Sequence, residues 1–271
     1  MKPGLKLTRL TEHEKGINPK TCVQGQPYLS VIGSLLYIST CTRPDIAFAV
    51  NSLARHSSAI GKEHIKAVLQ VVKYLNGTRD LGIMFHKPSQ EQLRKASVYH
   101  GATHPCDPLK LQIMRTYADA DYAGAHDRKS TTGFLIIING APVAWRACKQ
   151  KITAQSTAES EIISATEAAK EIIHLRLLLK ECGFEDYCNG PTILHEDNQA
   201  CIYLAENLKS RRSAKHFETR LRFLQEKVQE GSVKFQYIRT EYQLADIFTK
   251  PLAKEAFEFL RDQFMTNCST A

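Results

Sequence analysis

An acidic stretch between two strand-like runs constrains this chain most. It reads TYADADYAGAHDRKST over residues 116–131, follows the strand-like run 111–115 and precedes the apolar run 134–138. We therefore expect Asp119 and Asp121 where an extended segment ends in a turn rich in Gly and Asp. A carboxylate at a strand end is fixed in position and still reaches solvent, which suits a hard cation such as Mg²⁺. On these residues alone, an ordinary acidic hairpin loop stays open as the alternative.

Composition narrows the class of protein. With 271 residues the chain can bury one large core or two modest ones. Its formal net charge of +8 favours a polyanionic partner, although charge alone does not separate nucleic acid from a membrane surface. The eight cysteines contain no C-x-x-C pair, which indicates reduced thiols. His100, His104 and Cys106 are spaced like zinc ligands but have no second ligand pair nearby, so we do not favour a zinc site there.

Hydropathy argues against a membrane partner. No run approaches the ~18 apolar residues that a membrane-spanning helix needs. Residues 1–15 carry basic side chains without an apolar core, which is not the pattern of an ordinary signal peptide. The sequence therefore predicts a cytoplasmic or nuclear protein.

Turn residues and apolar periodicity divide the chain into four predicted parts. Residues 1–26 are rich in Pro and Gly and indicate an irregular lead-in. Residues 27–86 show apolar positions at spacings of three and four, with a short strand at 81–85, and predict a small helical unit. Residues 87–110 are polar and proline-containing and predict a linker. Residues 111–264 form the last predicted part, which carries the acidic stretch.

This last part shows strands in series and then strands alternating with helices. We expect strands at 111–118, 132–139 and 142–147, a helix from Ser156 to about Lys180, a strand at 192–195, a helix from near Asp197, a charged helix at 216–230, a strand at 233–238 and a final helix from about Gln243. Such an order predicts an α/β fold with a mixed sheet that carries helices on its faces.

The long predicted helix opens with two glutamates of different character. Ser156 and Glu159 form a capping box, which gives Glu159 a structural role at the backbone amide of Ser156. Glu161 begins a helical row that continues through apolar residues to Leu179. A carboxylate on a buried row is costly unless it is paired or binds a cation. Glu161 is therefore the candidate functional acid of this helix.

Two further acids follow later in the chain. Asp197 comes after a predicted strand, and a helix N-cap is the simplest interpretation of it. If its strand lies beside the strand that ends at Asp119, the two carboxylates meet at neighbouring strand ends. Asp246 lies near the buried side of the last predicted helix. Four unpaired carboxylates would repel one another, so their convergence predicts a metal site.

Four segments carry a resemblance to a known family. They read YADADYAGAHDRKSTTGF, VAWRACKQKITAQSTAESEIISATEAAKEIIHLRLLL, ILHEDNQACIYLAEN and YIRTEYQLADIFTKPL. Together they resemble the ribonuclease H domain of Ty1/copia-type retrotransposon Pol polyproteins. Upstream, YLSVIGSLLYISTCTRPDIAFAVNSLARHSS and EHIKAVLQVVKYLNGTRDLGIMF resemble the thumb-like tail of the same element's reverse transcriptase. The resemblance implies a ribonuclease H-like mixed five-stranded sheet flanked by helices, preceded by a thumb-like helical unit.

The resemblance also implies an activity and a site. The family's four metal-binding acids fall on Asp119, Glu161, Asp197 and Asp246, with two Mg²⁺ ions as cofactors and Mn²⁺ as a substitute. The implied reaction is two-metal hydrolysis of the RNA strand of an RNA–DNA hybrid, in which Asp119 bridges both ions. The implied partners are that hybrid and the rest of a Pol polyprotein.

Three departures from the family pattern limit what is carried over. Tyr122 stands where the family usually has Trp. The catalytic-loop His that related ribonucleases often carry shortly before the last acid has no counterpart at 239–242. The polymerase signature is missing, and the chain contains no Asp-Asp dipeptide. The sequence therefore predicts a ribonuclease H that lacks the polymerase palm.

A cluster of basic residues is the candidate nucleic-acid contact. Between 209 and 227 the chain has seven basic residues and two acids, and the predicted contacts are Lys209, Arg211, Arg212, Lys215, Arg220 and Arg222. A solvated helix face is the alternative. We favour phosphate contacts, which position a nucleic acid without reading its sequence.

The rival interpretation is a protein without enzymatic activity. A free-standing fragment of this kind could be a relic or a co-opted interaction protein, for example an RxLR-type secreted effector acting in a plant host cell. The chain has neither an R-x-L-R string nor a visible signal peptide, so nothing in its residues supports export.

Overall fold

The computed structural model describes residues 22–23, 25–57, 60–85, 114–125, 127–188, 190–207 and 218–268. Most of the predicted lead-in and all of the predicted linker 87–110 lie outside these ranges. The same holds for the zinc-like group His100, His104 and Cys106 and for the basic residues Lys209, Arg211, Arg212 and Lys215.

The first part of the described chain is helical, as its apolar spacing predicts. Its elements are β1 (Cys22–Val23), β2 (Gln26–Pro27), α1 (Tyr28–Cys41), α2 (Ala47–Ala54), α3 (Lys62–Gly77) and β3 (Leu81–Gly82). The apolar side chains at helical spacing meet in one core, which includes Ile32, Leu35, Val50, Leu53 and Val68. The strand predicted over 81–85 is only two residues long.

A buried ion pair ties this helical part together. Asp45 receives Nε and Nη2 of Arg43 at 3.0 and 2.7 Å and the hydroxyl of Tyr74 at 2.7 Å. The third guanidinium nitrogen of Arg43, Nη1, donates to the carbonyl of Thr78 at 3.0 Å. Such a two-pronged guanidinium–carboxylate pair is strong and directional, so the buried charge of Asp45 is fully matched.

The second part is mixed α/β. Its elements are β4 (Met114–Asp121), β5 (Thr131–Ile138), β6 (Ala141–Lys149), α4 (Thr157–Glu181), β7 (Thr192–Glu196), α5 (Gln199–Glu206), α6 (Glu218–Gln229), β8 (Val233–Tyr237), α7 (Asp246–Thr249), α8 (Lys254–Arg261) and β9 (Thr266–Asn267). Across the parts of the chain that the structure describes, no helix is both long enough and apolar enough to cross a membrane.

The five long strands form one mixed sheet in the order β6-β5-β4-β7-β8. The pairs β6–β5 and β5–β4 are antiparallel, and the pairs β4–β7 and β7–β8 are parallel. The α/β fold predicted from the sequence, with a five-stranded mixed sheet flanked by helices, is confirmed. Because β7 lies directly beside β4, the condition for Asp119 and Asp197 to meet is fulfilled.

Helices cover both faces of this sheet. On one face α4, α5 and α6 bury a core that includes Ile162, Ala165 and Ile172. On the other face α7 and α8 share a core with Ala47 of α2, so the helical part packs directly on the sheet. Two further links join the parts. Trp145 Nε1 donates to the carbonyl of Ser39 at 2.8 Å, and β3 pairs with β9. The division at residues 27–86 and 111–264 stays a prediction.

Two elements differ from the expectation. Strand β4 continues through Asp121 instead of ending before Asp119, because both acids pair with β5, Asp119 with Gly133 and Asp121 with Thr131. The single helix expected from about Gln243 is two short helices, α7 and α8. Pro251 separates them, since a proline disfavours helical backbone in the residue before it.

Candidate metal centre

Three of the predicted acids converge at one end of the sheet. Asp119, Glu161 and Asp197 each offer a carboxylate oxygen, and these three atoms lie within 4.8 Å of one another. The parallel register of β4 and β7 pairs Tyr117 with His195, so Asp119 and Asp197, each two residues on, lie level with each other. Glu161 comes from the first turns of α4.

Helix α4 is anchored next to this sheet end. The hydroxyl of Ser164 lies 2.7 Å from the carbonyl of Asp119 and 3.0 Å from the carbonyl of Gly133. Further along the helix, Ala165, Ala168 and Ile172 are buried against the sheet. The apolar row that the sequence predicts for Glu161 is therefore real, and it holds the Glu161 carboxylate at the rim of the core.

Asp246, the fourth predicted acid, lies beside Asp119 but outside the three-oxygen group. It is the first residue of α7, which packs against β5 where Gly133 has no side chain. A Cβ on Gly133 would lie 2.5 Å from Thr249 Cγ2 and 2.8 Å from Phe248 Cβ, so only glycine permits this approach. The close packing of α7 brings Asp246 to the site.

Lysine 250 is the basic partner of this region. Its ammonium lies 2.9 Å from Asp246 Oδ1 and 3.8 Å from Asp119 Oδ2. Burial by itself would lower the pKa of Lys250, but the neighbouring carboxylates of Asp119 and Asp246 outweigh it and raise that pKa above its ordinary value. Lys250 is therefore a fixed cation at the site.

The carboxylates far outnumber this one cation. Asp119 and Glu161 are almost fully buried, and burial raises the pKa of both, well above the usual value for Glu161. Burial and then the charge of Asp119 raise the pKa of Asp246 to about 8. The Oε2 atom of Glu161 is buried and accepts no hydrogen bond. A buried charge without a partner is unfavourable, so this site favours an added cation.

The donor set fits a hard divalent metal ion. All the candidate ligand atoms are carboxylate oxygens, which Mg²⁺ prefers. Two of the acids are oriented by hydroxyl donors. Thr240 Oγ1 donates to Asp197 Oδ2 at 2.7 Å, and Thr249 Oγ1 donates to Asp119 Oδ2. Hydrogen bonds of this kind hold ligand side chains ready for a metal ion.

The structure separates Glu159 from the site, as the sequence predicts. Ser156 Oγ accepts from the amide of Glu159 at 3.1 Å, which completes one half of the capping box. The carboxylate of Glu159 accepts from the amide of Gln155 at 2.7 Å, one residue before the expected Ser156. The carboxylate of Glu159 therefore caps the backbone one residue earlier than the capping-box pattern predicts.

The N-cap interpretation of Asp197 is also wrong. The cap of α5 is Asn198, whose side-chain oxygen accepts from the amide of Cys201 at 3.1 Å. Asp197 therefore does not cap α5, and its side chain lies with those of Asp119 and Glu161.

Sequence reasoning missed a fifth acid, Glu196. Its side chain is fully buried. The pKa of Glu161 is raised mainly by burial, and the charge of Glu196 raises it more than that of any other carboxylate. One oxygen accepts from the amide of Asn198 at 3.1 Å. Strand alternation was the available signal. Leu194 faces the α4 core, so residue 196 faces the same side.

Two of the predicted nucleic-acid contacts lie on α6. Arg220 is half-buried, and Arg222 is exposed and forms an ion pair with Glu218. Lys227 on the same helix pairs with Glu230 at 2.8 Å. The other predicted contacts lie outside the described residues, so the role of the basic cluster stays a prediction.

No protein-family model matches the chain. The "Retrovirus-related Pol polyprotein from transposon TNT 1-94" of Nicotiana tabacum is 35% identical over 263 residues, which cover 97% of this chain and 18% of that protein. The Pol polyprotein of transposon RE2 from Arabidopsis thaliana is 31% identical over 85% of this chain and 14% of its own length. The chain thus spans less than a fifth of these relatives.

A shorter relative matches over most of its own length. "Secreted RxLR effector protein 161" of Plasmopara viticola is 33% identical over 150 residues, which cover 55% of this chain and 91% of that protein. Among solved structures, LC11-RNase H1 aligns over 55% of this chain and 97% of its own, with 14% identity and a TM-score of 0.39. A foamy viral protease-reverse transcriptase solved with an RNA/DNA hybrid aligns over 90% of this chain and 28% of its own, with 16% identity and a TM-score of 0.46.

Proposed function

This chain belongs to the Ty1/copia-type retrotransposon Pol polyproteins, of which it matches the C-terminal part, and on that premise we propose that it hydrolyses the RNA strand of RNA–DNA hybrids. The observation that carries the proposal is the convergence of Asp119, Glu161 and Asp197 within 4.8 Å at one end of a ribonuclease H-like sheet. A buried cluster of carboxylates with excess negative charge and shifted pKa values is typical of a catalytic site.

The four predicted acids would hold the cofactor. Asp119, Glu161, Asp197 and Asp246 would hold two Mg²⁺ ions, or Mn²⁺ in their place. Bound there, the ions supply Lewis-acid stabilisation of the attacking and leaving oxygens of an in-line phosphodiester displacement. Neither a polymerase signature nor an Asp-Asp pair is present, so the proposed activity is hydrolysis alone.

The residues of the chain supply position and charge. The hydroxyls of Thr240 and Thr249 orient Asp197 and Asp119, and α4 holds Glu161 against the sheet end. The basic residues around α6 would contact phosphates and so place the hybrid along the site. Selection of a hybrid over a DNA duplex would depend on the 2′-hydroxyl and on helix shape.

The test of the proposed function is cleavage of a labelled hybrid by the purified chain with Mg²⁺. Asp119→Asn keeps the size of the side chain and removes its charge, so cleavage should fall by roughly 100-fold or more, beyond the usual effect of losing an outer-shell partner. Binding of the hybrid should persist. Asp262→Asn is the matched control, because that carboxylate is exposed and pairs with Arg261. Absence of cleavage by the unmodified chain in millimolar Mg²⁺ or Mn²⁺ would refute the proposal.

The match to the Plasmopara viticola protein favours a second candidate. Because 91% of that relative is covered, a non-enzymatic interaction role, as a relic or as an effector secreted into a plant host cell, is the alternative. The two candidates separate in a plant-cell assay. If expression of the chain gives a phenotype, the enzyme proposal requires that Asp119→Asn removes it, whereas the interaction role requires that it survives.

A further inference from the structure

The carboxylate site has two sides of unequal charge. On one side the oxygens of Asp119, Glu161 and Asp197 approach within 4.8 Å, and within the described ranges neither Glu161 nor Asp197 forms an ion pair. On the other side Asp119 and Asp246 share the ammonium of Lys250 at 3.8 and 2.9 Å. Asp119 belongs to both sides.

Local structure holds Lys250 at this position. Helix α7 ends after one turn, and Lys250 follows it in extended backbone with φ −142° and ψ 154°. Pro251 favours that extended conformation. Gly133 lets α7 pack closely on β5, so the lysine and Asp246 arrive at the site together. Only a third of the Lys250 side chain is exposed, although lysine is usually solvated.

The ammonium group of Lys250 lies between two carboxylates that are candidate metal ligands. It forms an ion pair with Asp246 Oδ1 at 2.9 Å and so offsets part of the negative charge that would attract a metal ion. A second positive charge cannot approach Asp119 and Asp246 while the ammonium remains between them, because like charges at this separation repel. The side formed by Asp119, Glu161 and Asp197 has no such occupant among the described residues.

We propose that Lys250 is a resident cation that takes the place of one of the two metal ions. The Asp119–Glu161–Asp197 side binds its divalent ion first and without obstruction. The Asp119–Asp246 side binds a second ion only after the ammonium is displaced. Lys250 is thus a positioning residue that sets the order and the affinity of metal binding. This inference rests on the proposed function for the identity of the ions, and it concerns a residue that this function does not require.

The test is Mn²⁺ binding to the full chain, measured by electron paramagnetic resonance of the free ion without any nucleic acid. Lys250→Met keeps the length of the side chain and removes its charge. Lys170→Met is the matched control, because Lys170 is exposed, pairs only with Glu167 on the surface and carries the same charge. We expect one tight and one weak Mn²⁺ in the wild type and in Lys170→Met. In Lys250→Met the second ion should bind roughly tenfold tighter or more. Equal second-site affinity in the two variants would overturn the inference.

A second measurement removes the dependence on a variant that folds poorly. In the wild-type chain, the side-chain ammonium resonance of Lys250 should stay unchanged at the first equivalent of Mg²⁺ and shift with the second. A resonance that is unchanged at saturating Mg²⁺ would overturn the inference. If Lys250→Met is unfolded without metal and folds on addition of Mn²⁺, the metal has replaced the ammonium, which supports the inference.

These readouts fail separately from the proposed function. A chain that shows the Lys250 effect on Mn²⁺ binding but cleaves no hybrid would refute the ribonuclease and retain the resident cation. A chain that cleaves hybrid while Lys250→Met binds Mn²⁺ like its control would retain the ribonuclease and refute the resident cation. If neither the wild type nor Lys250→Met binds a divalent ion, both the proposed ribonuclease and the resident cation are refuted.

Discussion

Asp45 in the helical part and Asp119 in the sheet are equally buried, at 4% and 2% exposure, but their surroundings differ completely. Asp45 receives a two-pronged guanidinium from Arg43 and a hydroxyl from Tyr74. Asp119 lies among three other predicted acids and shares the ammonium of Lys250 with Asp246. Burial of a charge is common to both places, so burial does not distinguish them.

The number of partners does distinguish them. The Asp45 carboxylate is matched by the guanidinium of Arg43, and both of its oxygens accept hydrogen bonds. At the sheet end, the described residues bring five carboxylates together, counting Glu196, and Lys250 forms ion pairs with two of them, Asp119 and Asp246. Glu161 keeps a buried oxygen that accepts no hydrogen bond. A matched cluster stabilises the fold, and an unmatched one lowers stability until a cation binds. Charge balance therefore distinguishes the structural ion pair at Asp45 from the carboxylate cluster, which favours an added cation.

Breaking the matched cluster should have the largest effect on stability. Arg43→Met leaves Asp45 buried without its counter-ion, which typically costs about 3–5 kcal/mol. We expect that loss in the free energy of unfolding, measured with a chemical denaturant. Lys66→Met is the control, because its ion pair with Glu63 is exposed on both sides, and such pairs are worth about 0–1 kcal/mol. Similar losses in the two variants would show that the Arg43 pair is not special.

Removing an acid from the unmatched cluster should instead increase the free energy of unfolding. Without metal at pH 8, Glu161→Gln should raise the free energy of unfolding by about 1–3 kcal/mol, in the range of ordinary substitutions. The reason is the raised pKa of Glu161. The folded carboxyl is stabilised as the neutral form, so its stability is present below the ordinary value of 4.5 and is lost as pH rises.

Magnesium should make the wild type more stable than Glu161→Gln, the reverse of the order expected without metal. A ligand that binds only the folded state adds about 2.7 kcal/mol at 100 times its dissociation constant, and the wild type should gain more than Glu161→Gln. Glu167→Gln, at a surface ion pair with Lys170 and Arg146, should change little in either condition. A lower free energy of unfolding for Glu161→Gln without metal would contradict the inference that the carboxylate cluster carries unbalanced negative charge.

The helical part should respond to pH in the opposite direction. Burial lowers the pKa of His64, whose Nδ1 accepts the amide of Gly61 at 3.1 Å and so caps α3. The unfolded chain therefore binds the proton first, and stability falls as pH drops through about 6.5. The stability difference between wild type and His64→Gln should shrink between pH 7.5 and pH 5. A difference that is constant across this range would contradict the assignment.

The smallest expected effect concerns the surface basic cluster. Neutralising Arg211 and Arg212 should weaken hybrid binding and make its salt dependence shallower by up to about 0.9 for each lost phosphate contact. Arg222→Gln should have less effect, because Arg222 is already paired with Glu218. Binding measured at several salt concentrations gives the slopes. Equal slopes for the wild type and these variants would show that the basic cluster is a solvated surface without phosphate contacts.

The sequence by itself determined the local features of this protein. Apolar spacing predicts the three helices of the first part, the capping box predicts where α4 begins, and short strand-like runs bounded by turn residues predict most strands. These patterns work because helix and strand periodicity depend on neighbours only a few residues away. The resemblance to Pol polyproteins named four acids, and three of them meet as expected.

Only the tertiary structure decided how the charges are balanced. The parallel register of β7 on β4 makes Asp119 and Asp197 level, and Asn198 caps α5 in place of Asp197. The close approach of α7 over Gly133 brings Lys250 to the acids from the far end of the chain. Whether a buried carboxylate is matched depends on atoms a few ångströms away in space, and those atoms come from strands and helices that are distant in sequence.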